Sequence, residues 1–533
     1  MFRKSKSWAL MLAVVMTLSV VLAGCGGDNN NKEGASPSAS SASPSASPSA
    51  SPSESAAPSE SAAASEGIDV SKLEPVELTL YFPGTPPKDE KKVEEKINEY
   101  LKTKINATLD IRMLDWGQYD QKMNLYVSGR EVMDIIFTAA WNGHATNVGK
   151  GAYLALNEGL LDEYGKGIKS VVSQAILDGA QINGKNYGVP ALKEMAEQGG
   201  ILFRTDIADE LGLTEKIQAV KSPADLIPIL EEVKAKKPDW TPLYVKDGEN
   251  LNSHYMNKFD FFGDTKLEGV VLKDGTDTTI KPAMEYPVYK DYLNIAREMF
   301  TKKLVNSDAA TSQLSPTDAL KKGNVFMVVS PLKPGKDAEM AAAANLPGKI
   351  GQVGITSITT STGETTGSML AISSTSKNPE RAMMFIDLLY TDKYLNNLIN
   401  FGIEGEHYTL NGEVMSDAPG KANYIAGSST WMLGNQFLNY IWDTEATDKW
   451  DQFKKFNEGS INSPALGFTF DAEPVKTQVA ALKNVQSQYA PGLETGGVDP
   501  AKVEEYYNKL KQNGLDDVIA EKQKQLDAFL ASR

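Results

Sequence analysis

Across 533 residues, 69 acidic side chains outnumber 54 basic ones, leaving a net charge of −15. No basic stripe is available to neutralise phosphates, which argues against nucleic acid as a partner, and the acidic excess reads as a solvated surface. A single cysteine excludes an internal disulfide, so stability must come from core burial, for which the length allows two domains.

The chain opens with Arg3, Lys4 and Lys6, followed by an apolar run from Trp8 to Ala23 and by Leu22-Ala23-Gly24-Cys25. A basic start, a short apolar stretch and small residues before a cut are the parts of a secretory signal. The run is too short to read as a membrane span. With the sole cysteine at the cut, the pattern resembles a bacterial lipoprotein signal. That resemblance implies loss of residues 1–24, lipidation of Cys25, and a chain anchored on the extracellular face of the cell membrane. An ordinary cleaved signal beside an incidental cysteine is the plainer alternative. Residues 25–67 form a tether, with Ser, Ala and Pro dominating 35–66 and neither aromatic nor branched aliphatic residues there. Such a tract cannot bury enough surface to fold. At about 3.1 Å per residue it reaches on the order of 100 Å when extended, a length that suits a Gram-positive envelope.

From Val76 the pattern turns to alternating strands and helices. Val76 to Phe82 alternates as a strand and ends at Pro83-Gly84-Thr85-Pro86. Val93, Ile97, Leu101 and Ile105 then mark one face of a helix. Ala107 to Leu114 reads as a second strand, and Met133 to Thr138 as a short buried one. These intervals predict βαβ units and a largely parallel sheet. After a turn at Asn183-Gly184-Lys185, Ile201 to Arg204 begins another strand. Ser222-Pro223, with Asp225 three residues after the cap, opens a helix in which Pro228 is expected to introduce a kink. Ser315 to Lys322 reads as a helix stopped by Gly323, followed by a buried strand over Asn324 to Val329. Asn378-Pro379-Glu380 starts an amphipathic helix through Phe385 and Leu389, and two further helices begin at Asp499-Pro500 and before Val518. Two α/β lobes that exchange chain segments are expected, closed by helices at the end.

Several passages resemble the bacterial extracellular solute-binding proteins of ABC importers, in the group called family 1. They are Asp134-Ile135-Ile136-Phe137, Gly184-Lys185-Asn186-Tyr187-Gly188-Val189-Pro190 and Asn378-Pro379-Glu380-Arg381-Ala382. Two more, Phe401 to Tyr408 and Ser463 to Asp471, are similar to a Gram-positive oligosaccharide-binding branch with a C-terminal extension of unassigned role. The resemblance implies a periplasmic-binding-protein-like type II α/β fold, two lobes around a hinge cleft with a helical C-terminal part. It places the body at 68–533, with lobe 1 at about 75–190 plus 350–400 and lobe 2 at about 191–349 plus 401–533. It also implies an ABC permease as partner, a monomer, and no cofactor. The calcium loop of the distant alginate binders has no counterpart around Asp239-Trp240-Thr241-Pro242, so no metal is expected.

Sugar recognition needs aromatic faces for pyranose rings and amides or carboxylates for hydroxyls. Loops after strand C-termini are where open α/β sheets bind ligands. The candidates are therefore Thr85 in the first such loop and Trp141, Asn142 and His144 in another. Trp116 lies beside Asp115 and Gly117, and Asp260 beside Phe261 and Phe262. Glu404 and His407 belong to the branch passage, where fixing the backbone rather than touching ligand is the plainer reading, and Trp431 and Trp442 lie in a polar stretch. For a tryptophan in general a role as a core anchor is the plainer reading; for Trp141, with turn residues around it and a buried strand before it, the ligand reading stands level. The rival from another class is an extracellular polysaccharide lyase or glycosidase. That chemistry needs a positioned carboxylate pair, and no two carboxylates are singled out. A ligand-binding component of a membrane sensor would have the same sequence features.

Overall fold

Apolar residues at every fourth position put one stripe on the helix Glu90–Ile105, and Val93, Ile97, Leu101 and Ile105 are all buried. That stripe covers a five-stranded sheet ordered 107–114, 76–83, 135–138, 369–372 and 189–190. The first three strands are parallel, and Met369–Ile372 runs antiparallel to Ile135–Thr138. The computed structural model describes residues 69–253, 258–263, 267–424 and 430–532. The signal, Cys25, the tether and His254 lie outside the described residues.

A second sheet carries strands in the order 350–354, 198–204, 325–332 and 241–244. Gln198–Arg204 is antiparallel to both neighbours, while Val325–Leu332 and Thr241–Tyr244 are parallel. Its core gathers Ile201, Phe203, Leu226, Leu230 and Phe326. Ser222 and Asp225 form a capping box on the 3-10 turn Pro223–Asp225, and the α-helix follows over Leu226–Lys236. Pro228 thus falls in the first turn of that helix, where a missing N–H is best tolerated, rather than in the interior where it would kink the helix.

A third apolar cluster joins Phe259, Phe262 and Val270 to Leu482, Tyr506, Leu515 and Leu526. These last four belong to the helices Lys476–Glu494, Val503–Gln512 and Leu515–Ala531, the expected helical C-terminal part. Fully buried Lys522 donates to the carbonyls of Leu267 and Gly269, both at 2.9 Å, fastening the last helix to this cluster.

Two expected lobe boundaries shift. Ile350–Gly354 was expected in lobe 1 but pairs with Gln198–Arg204 in the second sheet. Residues from 401 onward were expected in lobe 2, yet Tyr424, Met432 and Leu433 pack into the first core. A strand partner far off in sequence decided the first placement and core packing the second. The sheets meet where three stretches of chain run together. Glu197 and Thr359 exchange backbone hydrogen bonds of 2.9 and 3.0 Å, and Thr359–Thr360 pairs with Ile461–Asn462.

Candidate functional site

Three loops leave the same edge of the first sheet, after Pro83, Leu114 and Thr138, and Gly84 N–H ties two of them by donating to Leu114 O at 2.8 Å. In the second, Asp115 Oδ1 accepts from Gly117 N–H at 2.9 Å, a tight turn that leaves Trp116 46 % exposed. In the third, a 3-10 turn over Ala140–Asn142 ends at Gly143, whose φ of 76° is the left-handed conformation glycine favours. Ala140 N–H donates to Thr366 O at 3.0 Å, and the Trp141 indole N–H donates to Gly367 O at 2.7 Å. The ring is thereby held edge-on with 45 % of the residue still exposed.

These loops bring Trp116, Trp141 and half-buried Trp431 together, although they are spread over the chain. Trp116 lies 6.3 Å from Trp141 and 6.2 Å from Trp431, centroid to centroid, with interplanar angles of 28° and 17°. Trp141 and Trp431 are 6.3 Å apart. Buried Phe137 supports both, at 6.0 Å from Trp141 and edge-on at 5.9 Å from Trp431. Ser368 Oγ donates to Met432 O at 3.1 Å, which fixes the backbone next to Trp431. The result is an aromatic patch with indole surface open to solvent, beside Asn142, whose amide donates to Asp120; Thr85 is exposed on the first of the three loops. Flat apolar faces beside an amide and a carboxylate suit a ligand with its own alternating apolar and hydroxyl-bearing faces.

Other expected contacts are placed differently. His144 is 3 % exposed, with Nδ1 3.2 Å from Thr138 Oγ1 and its ring stacked on Tyr153, and burial pushes its pKa down to about 4. It is a neutral support beneath the Trp141 loop rather than a group facing ligand. Asp260 is 1 % exposed; it accepts from Ser463 Oγ at 2.5 Å and from Phe262 N–H at 2.8 Å. Burial pushes its carboxyl up. Its task is to fix the turn that holds Phe262 at a φ of 60°. His407 is 1 % exposed, and Glu404 is exposed on the neighbouring turn. Trp442 lies against Lys421, 4.1 Å from its ring, and Phe401.

Asp89, Glu406 and His407 present ligand atoms within 4.8 Å of one another. They do not fit a metal. His407 Nδ1 accepts from Ile403 N–H at 2.8 Å, so its proton sits on Nε2 and points at Asp89 Oδ2, 3.3 Å away. Lys92 already pairs with Glu406. The cluster pins Asp89, shortly after Thr85, and so shapes the first loop.

Sequence reasoning missed two charged networks near the crossing segments. Lys273 Nζ pairs with Glu364 at 2.7 Å, and Glu364 also caps Ser361 N–H at 2.6 Å. Burial works against the Glu364 charge, but Lys273 and Ser361 outweigh it and hold the carboxyl below its ordinary range. Burial pushes the Glu197 carboxyl up, with Lys273 and Lys193 only partly offsetting it and Glu364 adding to it. In the second network Lys333 reaches Glu194 at 3.3 Å and Glu339 at 3.2 Å. Apart from the Ser361–Glu364 capping box, proximity in space alone links these partners. Two surface grooves, of about 600 Å³ beside Tyr286 and Tyr507 and about 510 Å³ beside Leu73 and Arg381, contain none of the candidate residues.

Residues 84–395 match the family model described as bacterial extracellular solute-binding protein, and residues 464–531 match a domain of unknown function, DUF3502. A carbohydrate ABC transporter substrate-binding protein of Streptococcus pneumoniae serotype 4 is 29 % identical over 467 residues, covering 86 % of this chain and 91 % of that one. The N-glycan transport solute binding protein NgtS of Streptococcus pneumoniae matches with a TM-score of 0.77 at 29 % identity, over 86 % of this chain and 99 % of that one. Its complex with Man1GlcNAc matches with a TM-score of 0.74 at 28 % identity, over 86 % and 100 % of the two chains. The alginate-binding protein AlgQ2 shares the fold at 16 % identity, with a TM-score of 0.60 over 86 % and 99 %. The type II arrangement of two α/β lobes with a helical C-terminal part is thus the fold observed.

Proposed function

The chain belongs to the bacterial extracellular solute-binding protein family, and from that premise we propose that it is the substrate-binding receptor of a carbohydrate ABC importer, taking an oligosaccharide. The observation that carries this reading is the patch of Trp116, Trp141 and Trp431 at the C-terminal edge of the first sheet. Indole faces gain most from ligands with flat C–H surfaces, and several adjacent rings favour more than one sugar unit. The relatives named for carbohydrate transport and for Man1GlcNAc support the same ligand class. Members of this family bind solutes and are not enzymes, so the lyase or glycosidase alternative is set aside.

Capture follows from the two-lobe form. A ligand that touches both lobes stabilises the closed arrangement over the open one and shifts the population by its differential affinity. The closed receptor then docks on a transmembrane permease as a monomer. Lipid at Cys25 and the tether to residue 67 hold it on the outer membrane face, where a long arm raises its effective concentration near the permease. The calorimetric test uses the body against Man1GlcNAc, Man5GlcNAc, other neutral oligosaccharides, amino acids and short peptides. Heat only with sugars is expected. Peptide binding, or reducing ends released from a polysaccharide, overturns the reading.

A further inference from the structure

The passage Ser463 to Asp471, whose first residue bonds Asp260, is tied to the same element that holds the Trp141 ring. Ser463 N–H donates to Thr360 O at 2.8 Å, and Gly467 N–H donates to Thr362 Oγ1 at 2.8 Å. Thr362 opens the short helix Thr362–Thr365, and that helix leads directly into Thr366 and Gly367, the acceptors of the Ala140 amide and the Trp141 indole. At its far end, Phe470 N–H donates to Phe262 O at 3.3 Å and Asp471 N–H to Gln525 Oε1 at 2.9 Å.

Burial along this stretch alternates. Phe468 and Phe470 are buried in the C-terminal cluster, Phe468 packing on Phe262 at 5.3 Å and on Phe529 at 5.8 Å. The intervening Thr469 and Asp471 are half-buried. They face the first lobe. Thr469 Cγ2 and Ala140 Cβ lie 3.6 and 3.8 Å from the point where a Cβ on Gly263 would sit. Asp471 Oδ2 lies 3.5 Å from Asn183 Nδ2, and Gly467 Cα lies 3.7 Å from the Cβ position of Gly179.

We propose that Thr469 and Asp471 form the second wall of the oligosaccharide cleft, the Thr469 hydroxyl bonding a sugar hydroxyl beside Trp141 and Asp471 latching onto Asn183 across the mouth. This rests on the carbohydrate reading above and assigns the segment of unknown role to ligand retention. A latch acts on escape, so its loss raises the dissociation rate and leaves association nearly unchanged.

The test measures equilibrium and stopped-flow binding by the body, with Man1GlcNAc, Man5GlcNAc and neutral oligosaccharides as probes. Thr469→Val is expected to weaken binding about tenfold, as for one lost hydrogen bond, with the unliganded melting temperature unchanged. Thr469→Ser should restore it. Asn183→Ala and Asp471→Asn should each speed dissociation severalfold. Trp141→Ala separates the two claims. If it weakens binding while the Thr469, Asn183 and Asp471 variants stay within twofold of the parent, the wall is refuted and the receptor reading stands. If no sugar binds, the receptor reading fails and the wall falls with it; if sugar binds and Trp141→Ala changes nothing, the tryptophan platform is refuted, and with it the wall placed beside Trp141.

Discussion

Replacing Trp141 with alanine separates a ligand platform from a core anchor. With 45 % of the residue exposed and roughly 250 Å² of surface on a tryptophan, about 110 Å² remains for a ligand to cover. At about 25 cal/mol per Å², covering all of it would stabilise a complex by about 3 kcal/mol. A pyranose covers one face only, so about half of that is expected, near 1.4 kcal/mol or tenfold in Kd. The unliganded protein also loses the 2.7 Å indole bond to Gly367 and three aromatic neighbours. Its stability should therefore fall by about 1–2 kcal/mol. Calorimetric titration and thermal melts of both proteins measure the two effects. Trp141→Phe should fall between parent and alanine in affinity. A tenfold loss in Kd supports the platform. An unchanged Kd with a lower melting temperature refutes it and makes Trp141 a core anchor.

Glu197→Gln should raise the melting temperature at about pH 8, with the gain shrinking as pH falls toward about 5. Burial lifts the folded pKa of Glu197 above its unfolded value, so the folded state holds the extra proton and parent stability falls as pH rises through that window. Lys273→Met leaves the Glu364 carboxylate without its partner at 2.7 Å and should cost about 3–5 kcal/mol by denaturant titration; adding Glu364→Gln should recover part of it. Asp134→Ala removes the acceptor of Thr79 N–H at 2.9 Å and of Ser376 Oγ at 2.6 Å, and should destabilise by about 2–3 kcal/mol without changing sugar affinity in the folded fraction. Gly402→Ala sets a Cβ 2.5 Å from His407 Nδ1 at a φ of 83°. It should destabilise strongly while Glu404→Ala does little, as fits a passage that fixes backbone.

Much of the architecture is legible in local pattern. Val93, Ile97, Leu101 and Ile105 announce their helix through spacing alone, and the short apolar run ending at Thr138 announces a buried strand. Trp141 is legible for a related reason: turn residues around a large ring directly after such a strand leave it little core to enter. What escapes is pairing at a distance. Ile350–Gly354 belongs to the second sheet because of partners near residue 200, and nothing within the strand says so. His144 and Asp260 look like ligand contacts in sequence, since both are polar and near aromatics, yet packing turns them inward. Lys273 and Glu364 are 91 positions apart, and their pairing depends on how three crossing segments converge. Trp431 sits beside Trp116 for the same reason, because a chain expected in the other lobe returns to the first core.

A crystal structure of the body with an oligosaccharide tests the central claim most directly. The expected result is a pyranose ring lying flat at about 4 Å over Trp116, Trp141 or Trp431, with the second lobe closed upon it. Sugar bound instead in the groove beside Tyr286 and Tyr507, with the three indoles left bare, would contradict it.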